Sequence, residues 1–495
     1  MVSTPLSSPF TPVSNRIIPS PPSSSSPQVL THATLSRLPS SALSLVGGLR
    51  SVLQPFPFLP LQRHNRIDRT NTASILSHFG SVLLLTELGI DQNEAEFLLH
   101  NNQAVTSSES LRLRIGTLQS VGLTNFFLRQ AIAKRPDILT SLETGSFLNF
   151  INEEAVELLP KKLERLLVST HPASFPGLLI KIRLLLCYGF PQKKLGHLLN
   201  VVDINRAFTN RTIDVIKKMI LFLQRYGWPD IIVRRPKLLN LEFYDQLLPR
   251  VQFFTDLAGG DEESSSILIQ KMPAILAYTV DHLESHLEFW KSVGLTEEQV
   301  FKIALVYPNI FSVSRERKLT SRIEFLDQCQ LDAEAIFKFL IKAPLFVSLS
   351  YEENLAKKLS FLVKLGYRYR TREMAFAIGA TTRTSTKNMQ KVLGLFFCHG
   401  FSGEDVLSMS KKHPQVLQYS CESLEKKMEF LIHEMDREVG ELLNFPAFLG
   451  YKLDGRIKYR YEKKIANRRK GLSINKLLSM SDERFSSKSK KMDRV

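Results

Sequence analysis

Apolar residues recur along most of the chain at intervals of three and four positions, as in helices that bury one face. One such stripe comprises Leu283, Leu287, Trp290 and Val293. It stops at Gly294, where a left-handed cap is easiest for glycine, and Thr296 with Gln299 then makes a capping-box sequence that opens a second stripe. Pro308 ends the second stripe, because proline cannot donate the helical hydrogen bond. The next stretch repeats this order with Asp332 as the cap, so the pattern predicts pairs of helices.

The prolines that end these helix pairs recur at a nearly constant spacing. They are Pro136, Pro172, Pro236, Pro273, Pro308, Pro344, Pro414 and Pro446. Neighbouring prolines lie 32–37 residues apart, except for two double steps of 64 and 70 residues. Apolar residues occupy the second and third positions after seven of these prolines. A glycine stands fourteen positions before four of them, at Gly122, Gly259, Gly294 and Gly400.

One helix pair is too small to bury its own apolar face, so the copies must stack on one another. The sequence therefore predicts an all-α fold, a solenoid superhelix of about ten helix-pair repeats with an extended concave surface. The proline is missing near residues 103, 204 and 379, and the stretch 140–175 is irregular, so the geometry of the superhelix is open at these places.

The two ends of the chain carry nearly all of its net charge of +17. Residues 1–67 contain five Arg and no acid, and the first fifty residues hold thirteen Ser and eight Pro. This Ser-rich, acid-free composition is typical of an organellar transit peptide, and the early prolines favour a chloroplast over a mitochondrion, since they break the helix of a mitochondrial presequence. A disordered tail is the structural alternative. We predict a transit peptide with linker over 1–70, a repeat array over 71–451, and a basic segment over 452–495 that closes the array.

The mature chain is expected to begin between Ser44 and Thr72, where the acid-free composition gives way to the first helical stripe. Import into isolated chloroplasts followed by amino-terminal sequencing measures the start. An uncleaved chain, or cleavage beyond Leu98 inside the first repeat, would contradict the transit-peptide interpretation.

The sequence gives little support to an enzyme. The four cysteines lie at wide spacings, which excludes a disulfide scaffold and favours a reducing compartment. His282 and His286 stand four apart on one helix, but no third ligand is evident, so we interpret them as surface histidines flanking Leu283 and Leu287. Neither a phosphate-binding glycine loop nor a catalytic Ser-His-Asp or Cys-His spacing occurs, and no apolar stretch is long enough to span a membrane. We expect no enzymatic activity, no cofactor and no metal.

A basic residue stands two positions before the repeat proline in five copies, and two of these are doubled by a neighbour. The predicted nucleic-acid-binding residues of this row are Lys134, Arg234, Arg235, Lys271, Lys342, Lys411 and Lys412. In stacked copies the row is suited to follow a phosphate backbone. The alternative is structural, because cations also offset the partial negative charge at the end of any helix.

A second basic cluster lies in the carboxyl-terminal segment and is interleaved with tyrosines. Its predicted phosphate-contacting residues are Arg456, Lys458, Arg460, Lys463, Lys464, Arg468, Arg469 and Lys470. Dense cations next to aromatic rings suit phosphate contact with some stacking. A solvated terminal helix or a protein-docking tail is the alternative.

The order helix, Gly-apolar, helix, Pro-x-apolar-apolar resembles the mitochondrial transcription termination factor (mTERF) family. Residues 445–460, Phe-Pro-Ala-Phe-Leu-Gly-Tyr-Lys-Leu-Asp-Gly-Arg-Ile-Lys-Tyr-Arg, resemble the closing signature of that family, and Ser481–Phe485 resembles its last landmark. The resemblance covers about four-fifths of the chain. It implies α-α-3₁₀ repeats and an organellar nucleic-acid-binding protein that acts in transcription termination or regulation, in splicing or in ribosomal RNA maturation.

Two functions follow from these features. The first is a plastid regulator of gene expression, which we expect to be a monomer that does not associate with a membrane. Its expected target is double-stranded DNA or else RNA, and its further partners are organellar RNA polymerase or ribonucleoprotein components. The second is a protein-interaction scaffold attached to the transcription or ribosome-assembly machinery, since helical solenoids often hold protein partners. Salt dependence separates the two, because phosphate contacts weaken steeply with salt.

Overall fold

The computed structural model describes residues 69–101, 107–466 and 473–481, and in these ranges the chain is helical with no strand. The α-helices are α1 (Arg69–Glu87), α2 (Gln92–Asn101), α3 (Ser108–Ser120), α4 (Asn125–Lys134), α5 (Leu142–Glu153), α6 (Pro160–Ser169), α7 (Phe175–Cys187), α8 (Leu195–Val201), α9 (Ile213–Gln224), α10 (Asp230–Arg234), α11 (Leu248–Leu257), α12 (Glu262–Lys271), α13 (Val280–Ser292), α14 (Glu297–Val306), α15 (Thr320–Gln328), α16 (Ala333–Lys342), α17 (Ala356–Leu365), α18 (Arg372–Ala380), α19 (Thr386–Cys398), α20 (Gly403–Lys412), α21 (Cys421–Glu429), α22 (Glu441–Asn444), α23 (Tyr459–Ala466) and α24 (Ile474–Leu478). Single π-helical turns adjoin several of them, at Asn205–Thr209, Phe243–Leu247, Arg315–Leu319, Tyr351–Leu355, Phe430–Glu434 and Leu453–Lys458.

Successive helices form the predicted repeat. Within the described residues they pair from α1 with α2 to α21 with α22, which makes eleven pairs, and α23 with α24 follows as a closing pair. First helices stack on first helices, such as α3 on α5 and α19 on α21, and second helices stack on second helices, such as α4 on α6 and α20 on α22. The prediction of an all-α repeat solenoid is confirmed.

A 3₁₀ turn begins at each of the repeat prolines. These turns are Pro136–Leu139, Pro172–Ser174, Pro236–Asn240, Pro273–Ala277, Pro308–Phe311, Pro344–Val347, Pro414–Gln418 and Pro446–Gly450. Tyr307, just before one of these prolines, leaves the helix at φ −141° and ψ 82°, because a proline disfavours helical backbone in the residue before it. Ile310 and Phe311 in the same turn are buried, so the turn seals the end of the pair.

The glycine between the paired helices adopts left-handed backbone. At Gly294 φ is +92°, which costs little only for glycine, and Thr296 with Gln299 forms the predicted capping box just after it. The three repeats that lack the proline keep this glycine, since Gly89, Gly189 and Gly366 also have positive φ. The repeat register therefore continues through the positions where the proline is missing.

The stretch 140–175 is more regular than its sequence indicates. It contains the pair α5 and α6 and the 3₁₀ turn at Pro172, and the rings of Phe147 and Phe175 stack with centroids 4.7 Å apart. The sequence hid this repeat because Pro160 and Pro172 both fall in it. Pro160 is the first residue of α6, a position where proline fits a helix well.

Residues 1–68 of the predicted transit peptide and linker lie outside the described residues, and α1 starts at Arg69. The predicted boundaries at 70/71 and 451/452 stay predictions. None of the helices in the described ranges combines the length and the apolar character that a membrane crossing requires.

Candidate nucleic-acid interface

The cations predicted at the ends of the second helices link consecutive repeats along one edge of the stack. The Lys271 ammonium at the end of α12 donates to the carbonyl of Leu305 in α14, 2.5 Å away. The Lys412 ammonium at the end of α20 donates to the carbonyl of Leu443 in α22, 2.7 Å away. Both lysines stay exposed to solvent, so each caps the neighbouring helix while its charge faces outward.

Two further members of the row make the same kind of link. Lys134 forms an ion pair of 3.0 Å with Glu164 in α6, and the Arg234 guanidinium donates to the carbonyl of Gln270 in α12. The structural role that the sequence left open is therefore present in four of the seven predicted residues. It does not remove their positive charge from the surface, since Lys134 keeps 56% of its side-chain exposure.

The other three predicted residues of the row are exposed and less engaged. Arg235, Lys342 and Lys411 are exposed, and in the described part of the chain no carboxylate lies within ion-pairing distance of them. These three are the members whose charge the fold leaves most available to a phosphate.

A second set of cations, which the sequence did not reveal, is buried in the first helices or, for Arg211, just before one. Its members are Lys181, Arg211, Arg250, Arg322, Lys358 and Lys427. Arg250 donates to the carbonyl of Leu276 at 2.8 Å, and Lys427 donates to the carbonyl of Leu449 at 2.7 Å. Each carbonyl belongs to the turn that closes the same repeat, so the buried cation satisfies an acceptor that the short 3₁₀ turn leaves unpaired.

The spacing to the proline is a signal that could have identified two of these residues. Arg250 stands 23 positions before Pro273, and Arg322 stands 22 before Pro344. In the apolar periodicity alone, such a cation is an interruption of the stripe.

Burial of these cations has an electrostatic consequence, since desolvation lowers the pKa of the buried lysines Lys181, Lys358 and Lys427.

The histidine pair of α13 occupies this same structural position. His286 stands 22 residues before Pro308 and is buried, and desolvation together with nearby His282 lowers its pKa to about 4. His282 Nε2 lies 2.8 Å from the carbonyl oxygen of Phe311 in the closing turn. The interpretation of His286 as a surface histidine is therefore wrong. Within the described ranges no group of three or more His, Cys, Asp or Glu side chains is arranged to hold a metal ion.

Two arginines of the carboxyl-terminal cluster serve the fold. Arg460 is 1% exposed, and its guanidinium donates to the carbonyls of Leu477 and Leu478 at 3.1 and 3.2 Å. Arg456 donates to the carbonyl of Leu478 at 2.9 Å, and its guanidinium lies 4.8 Å from the ring centre of Tyr451. Both side chains hold α24 against the end of the array. Burial leaves Arg460 no surface for the predicted phosphate contact, and the contact predicted for the half-buried Arg456 stays a prediction.

The remaining described members of the cluster are half-buried or exposed. Lys458 forms an ion pair of 2.7 Å with Asp454, Lys463 is exposed, and Lys464 lies over the ring of Tyr461 at 5.8 Å. Desolvation, with a smaller contribution from a nearby arginine, lowers the pKa of Lys464. The predicted residues Arg468, Arg469 and Lys470 lie outside the described residues.

Two clefts open at the ends of second helices where the repeat proline is missing. One is lined by residues of α16, α18 and α20, including Lys342, Arg383 and Lys411. The other lies near residue 204 and is lined by Lys162 and Arg165, among others. The sequence pattern does not single out Arg383, because the predicted cations of the row stand before a repeat proline and this repeat has none.

Comparisons with known proteins agree with this architecture. A family model described as mTERF matches residues 82–292, 176–381 and 376–486. The transcription termination factor MTERF8, chloroplastic, of Arabidopsis thaliana is 44% identical over 449 residues, which make up 88% of this chain and 89% of that protein. Two proteins named transcription termination factor MTERF4, chloroplastic, match shorter parts of the chain. The protein of Oryza sativa subsp. japonica is 32% identical over 91 residues, which make up 18% of each chain. The protein of Arabidopsis thaliana is 35% identical over 88 residues, which make up 17% of this chain and 16% of that protein.

Proposed function

Because this chain belongs to the mTERF family, we propose that it is a nucleic-acid-binding factor that regulates transcription in the chloroplast, most directly by transcription termination. The chloroplast localisation predicted from the acid-free amino terminus is confirmed, since the relatives are named as chloroplastic. Double-stranded DNA is the proposed target, and RNA splicing or maturation is the other form that the activity could take.

The observation that carries the proposal is the edge formed by the second-helix ends. Five of the eleven described pairs, those with α4, α10, α12, α16 and α20, place exposed cations there, and each of Lys271 and Lys412 joins its own repeat to the next. A phosphate backbone is a line of regularly spaced negative charges, so cations placed at the same position of several repeats along one edge are complementary to it. Contacts of this kind position the protein without reading base sequence.

A protein-docking role is the second candidate, and exposed apolar side chains favour it. On α1 the side chains of Leu76, Phe79 and Leu83 are 72%, 64% and 48% exposed, and Leu113 on α3 is 73% exposed. Such residues on one helix face are typical of a protein contact rather than of a phosphate contact. We propose that this end of the array meets a component of the transcription or ribosome-assembly machinery and that the protein is otherwise a monomer.

The main proposal predicts a steep salt dependence that specific cations control. Changing Arg234, Arg235, Lys271 and Lys412 to Gln is expected to lower the slope of log affinity against log salt on duplex DNA by about 3–4 units, since each phosphate contact contributes about 0.9. Fluorescence anisotropy with a labelled duplex between 50 and 200 mM salt, with thermal unfolding as a folding check, measures this.

The matched control removes cations that are already neutralised. Lys302, Lys338 and Lys426 form ion pairs with glutamates one helical turn earlier, at 2.5, 3.0 and 2.6 Å. Changing these three to Gln is expected to alter the slope by less than about 1 unit. Equal slopes for the edge variant and the parent protein would exclude this edge as the binding surface. Loss of a co-purifying polymerase or ribosome component at an unchanged slope would favour the docking role.

A further inference from the structure

The ninth repeat, α17 with α18, has a short link after its second helix, at the position where most other repeats have the proline turn. Five residues, 381–385, link α18 to α19, whereas eight residues, 272–279, link α12 to α13, and eight, 413–420, link α20 to α21. The short link contains no 3₁₀ turn. The space that a proline turn fills elsewhere therefore stays open as the cleft between α16, α18 and α20.

The hydrogen-bonding groups at the end of α18 have partners although the 3₁₀ turn is missing. The Thr381 hydroxyl donates to the carbonyl of Ala377 at 2.9 Å, and the Thr382 hydroxyl donates to the carbonyl of Gly379 at 3.0 Å. The buried Lys358 ammonium donates to the carbonyl of Thr382 at 3.4 Å. The fold thus supplies partners for these groups from its own side chains, and a ligand in the cleft would not be needed to complete the helix end.

The floor of the cleft is apolar and tightly packed. A side chain at Gly379 would place its Cβ 2.6 Å from the Phe339 ring and 3.2 Å from the Ala343 side chain, so glycine is required for α18 to approach α16 this closely. The open volume above this floor is about 310 Å³, which is ample for a phosphate group. A floor that excludes water on one side strengthens electrostatic interactions at the rim.

The rim of the cleft carries three exposed cations from three consecutive repeats. Lys342 ends α16, Arg383 follows α18, and Lys411 lies in the last turn of α20. The amide side chains of Gln415 and Gln418 also line the cleft, and none of its described lining residues is acidic. Three positive charges with neutral hydrogen-bond donors and no opposing carboxylate suit a single anion.

The cleft near residue 204 differs in this respect. Its Lys162 ammonium already donates to the carbonyl of Val202 at 2.5 Å, and its lining includes the carboxylate of Asp203. One of its two cations is thus engaged by the fold, and a carboxylate lies in the same cleft. Absence of the proline turn is therefore common to both clefts, and what distinguishes the cleft at the ninth repeat is three exposed cations with no carboxylate among its lining residues.

We propose that the cleft between α16, α18 and α20 binds one phosphate group of the nucleic-acid backbone, held jointly by Lys342, Arg383 and Lys411. The inference rests on the proposed function and adds a fixed anchor to an otherwise repetitive edge. A phosphate seated there sets the register of the strand relative to the repeats, because its three ligands come from three different helix pairs.

A shared phosphate predicts an unusual salt dependence. Changing Lys342, Arg383 and Lys411 together to Gln is expected to weaken duplex binding about 10- to 100-fold at a fixed salt concentration. The slope of log affinity against log salt should fall by only about 1 unit, because one phosphate is released, whereas three separate contacts would give about 2.7. The charge-conserving variant Lys342→Arg, Arg383→Lys, Lys411→Arg should keep the parental slope. A slope change near 2.7, or none at all, would overturn the shared site.

Lysine footprinting tests the same site through the chemical reactivity of its lysines, without a measurement of affinity. Acetylation of the full-length protein followed by mass spectrometry should show that duplex DNA protects Lys342 and Lys411 but leaves Lys338, on the same helix as Lys342, unprotected. Inorganic phosphate at millimolar concentration should protect neither. Protection by inorganic phosphate alone would overturn the backbone assignment and identify a free-phosphate site.

The failure of the anchor can be told apart from the failure of the proposed function. If the parent protein binds duplex and single-stranded RNA no better than a control protein, the proposed function fails. If it binds duplex normally while Lys342 and Lys411 stay fully reactive, the anchor alone fails. A further matched pair is Arg383→Gln against Arg165→Gln, an arginine in each of the two clefts; only the first is expected to reduce affinity.

Discussion

Replacing Trp290 with alanine is expected to lower the free energy of unfolding by about 3–5 kcal/mol, the usual cost of truncating a large buried aromatic residue. Trp290 is fully buried on α13, which packs against α11 and α14. In a stack of repeats each face is shared, so the loss should extend to the neighbouring pairs rather than stay within one. Far-UV circular dichroism during thermal unfolding, together with amide hydrogen exchange across residues 248–306, measures both the size and the spread of the effect.

Two control variants of α13 sharpen this prediction. The Trp290 indole nitrogen is buried without a hydrogen-bond partner among the described residues, so Trp290→Phe removes a poorly satisfied group and should cost less than about 1.5 kcal/mol. Leu287 is only half-buried, although the stripe in the sequence placed it in the core, and Leu287→Ala should cost clearly less than Trp290→Ala. Equal losses for Trp290→Ala and Leu287→Ala would mean that the register of the buried face is wrong.

The backbone architecture could be predicted because it depends on local rules. Gly294 ends one helix through its left-handed backbone, Thr296 and Gln299 cap the next, and Pro308 ends that one. Each of these steps is set by residues within a few positions of one another, so a single sequence contains the information. Because the same pattern recurs along the chain, the repeat can be predicted even though the pattern in any single copy is weak.

The buried cations could not be predicted in the same way, because their partners are distant in the sequence. Arg250 donates to a carbonyl 26 residues later, and Arg211 donates to carbonyls 28 and 30 residues later. Charged residues are seldom buried without a partner, so a reader of one sequence assigns them to the surface. The acceptor appears only when the 3₁₀ turn folds back over the first helix.

The same reasoning applies to the predicted nucleic-acid-binding residues, only some of which the fold leaves exposed. The sequence alone does not show whether a given Lys or Arg side chain caps a helix, fills a buried position or faces solvent. Arg460 and Lys463 belong to one basic cluster three residues apart, yet Arg460 is buried and Lys463 is exposed. Arg383, in contrast, does not stand before a repeat proline and so has no place in the predicted row, although the fold brings it into one cleft with Lys342 and Lys411.

Changing Arg460 to Gln is expected to cost about 2–4 kcal/mol of local stability, since it leaves the carbonyl of Leu477 without its guanidinium donor and removes one of the two guanidinium groups that donate to the carbonyl of Leu478. The helix α24, which these carbonyls end, should become less protected from hydrogen exchange while the rest of the array keeps its protection, because local unfolding at a chain end does not require global unfolding. The slope of log affinity against log salt on duplex DNA should change by less than about 0.5 units, since Arg460 has no surface to offer a phosphate.

The paired variant Lys463→Gln, Lys464→Gln should behave in the opposite way. Both lysines lie on α23 like Arg460, but Lys463 is exposed and Lys464 is half-buried against Tyr461. Their loss should lower the salt slope by about 1–2 units and change the free energy of unfolding by less than about 0.5 kcal/mol. A salt slope that falls for Arg460→Gln but not for the lysine pair would reverse the two roles. If neither variant changes the slope, α23 lies outside the nucleic-acid interface, and the second-helix edge must then supply the phosphate contacts on its own.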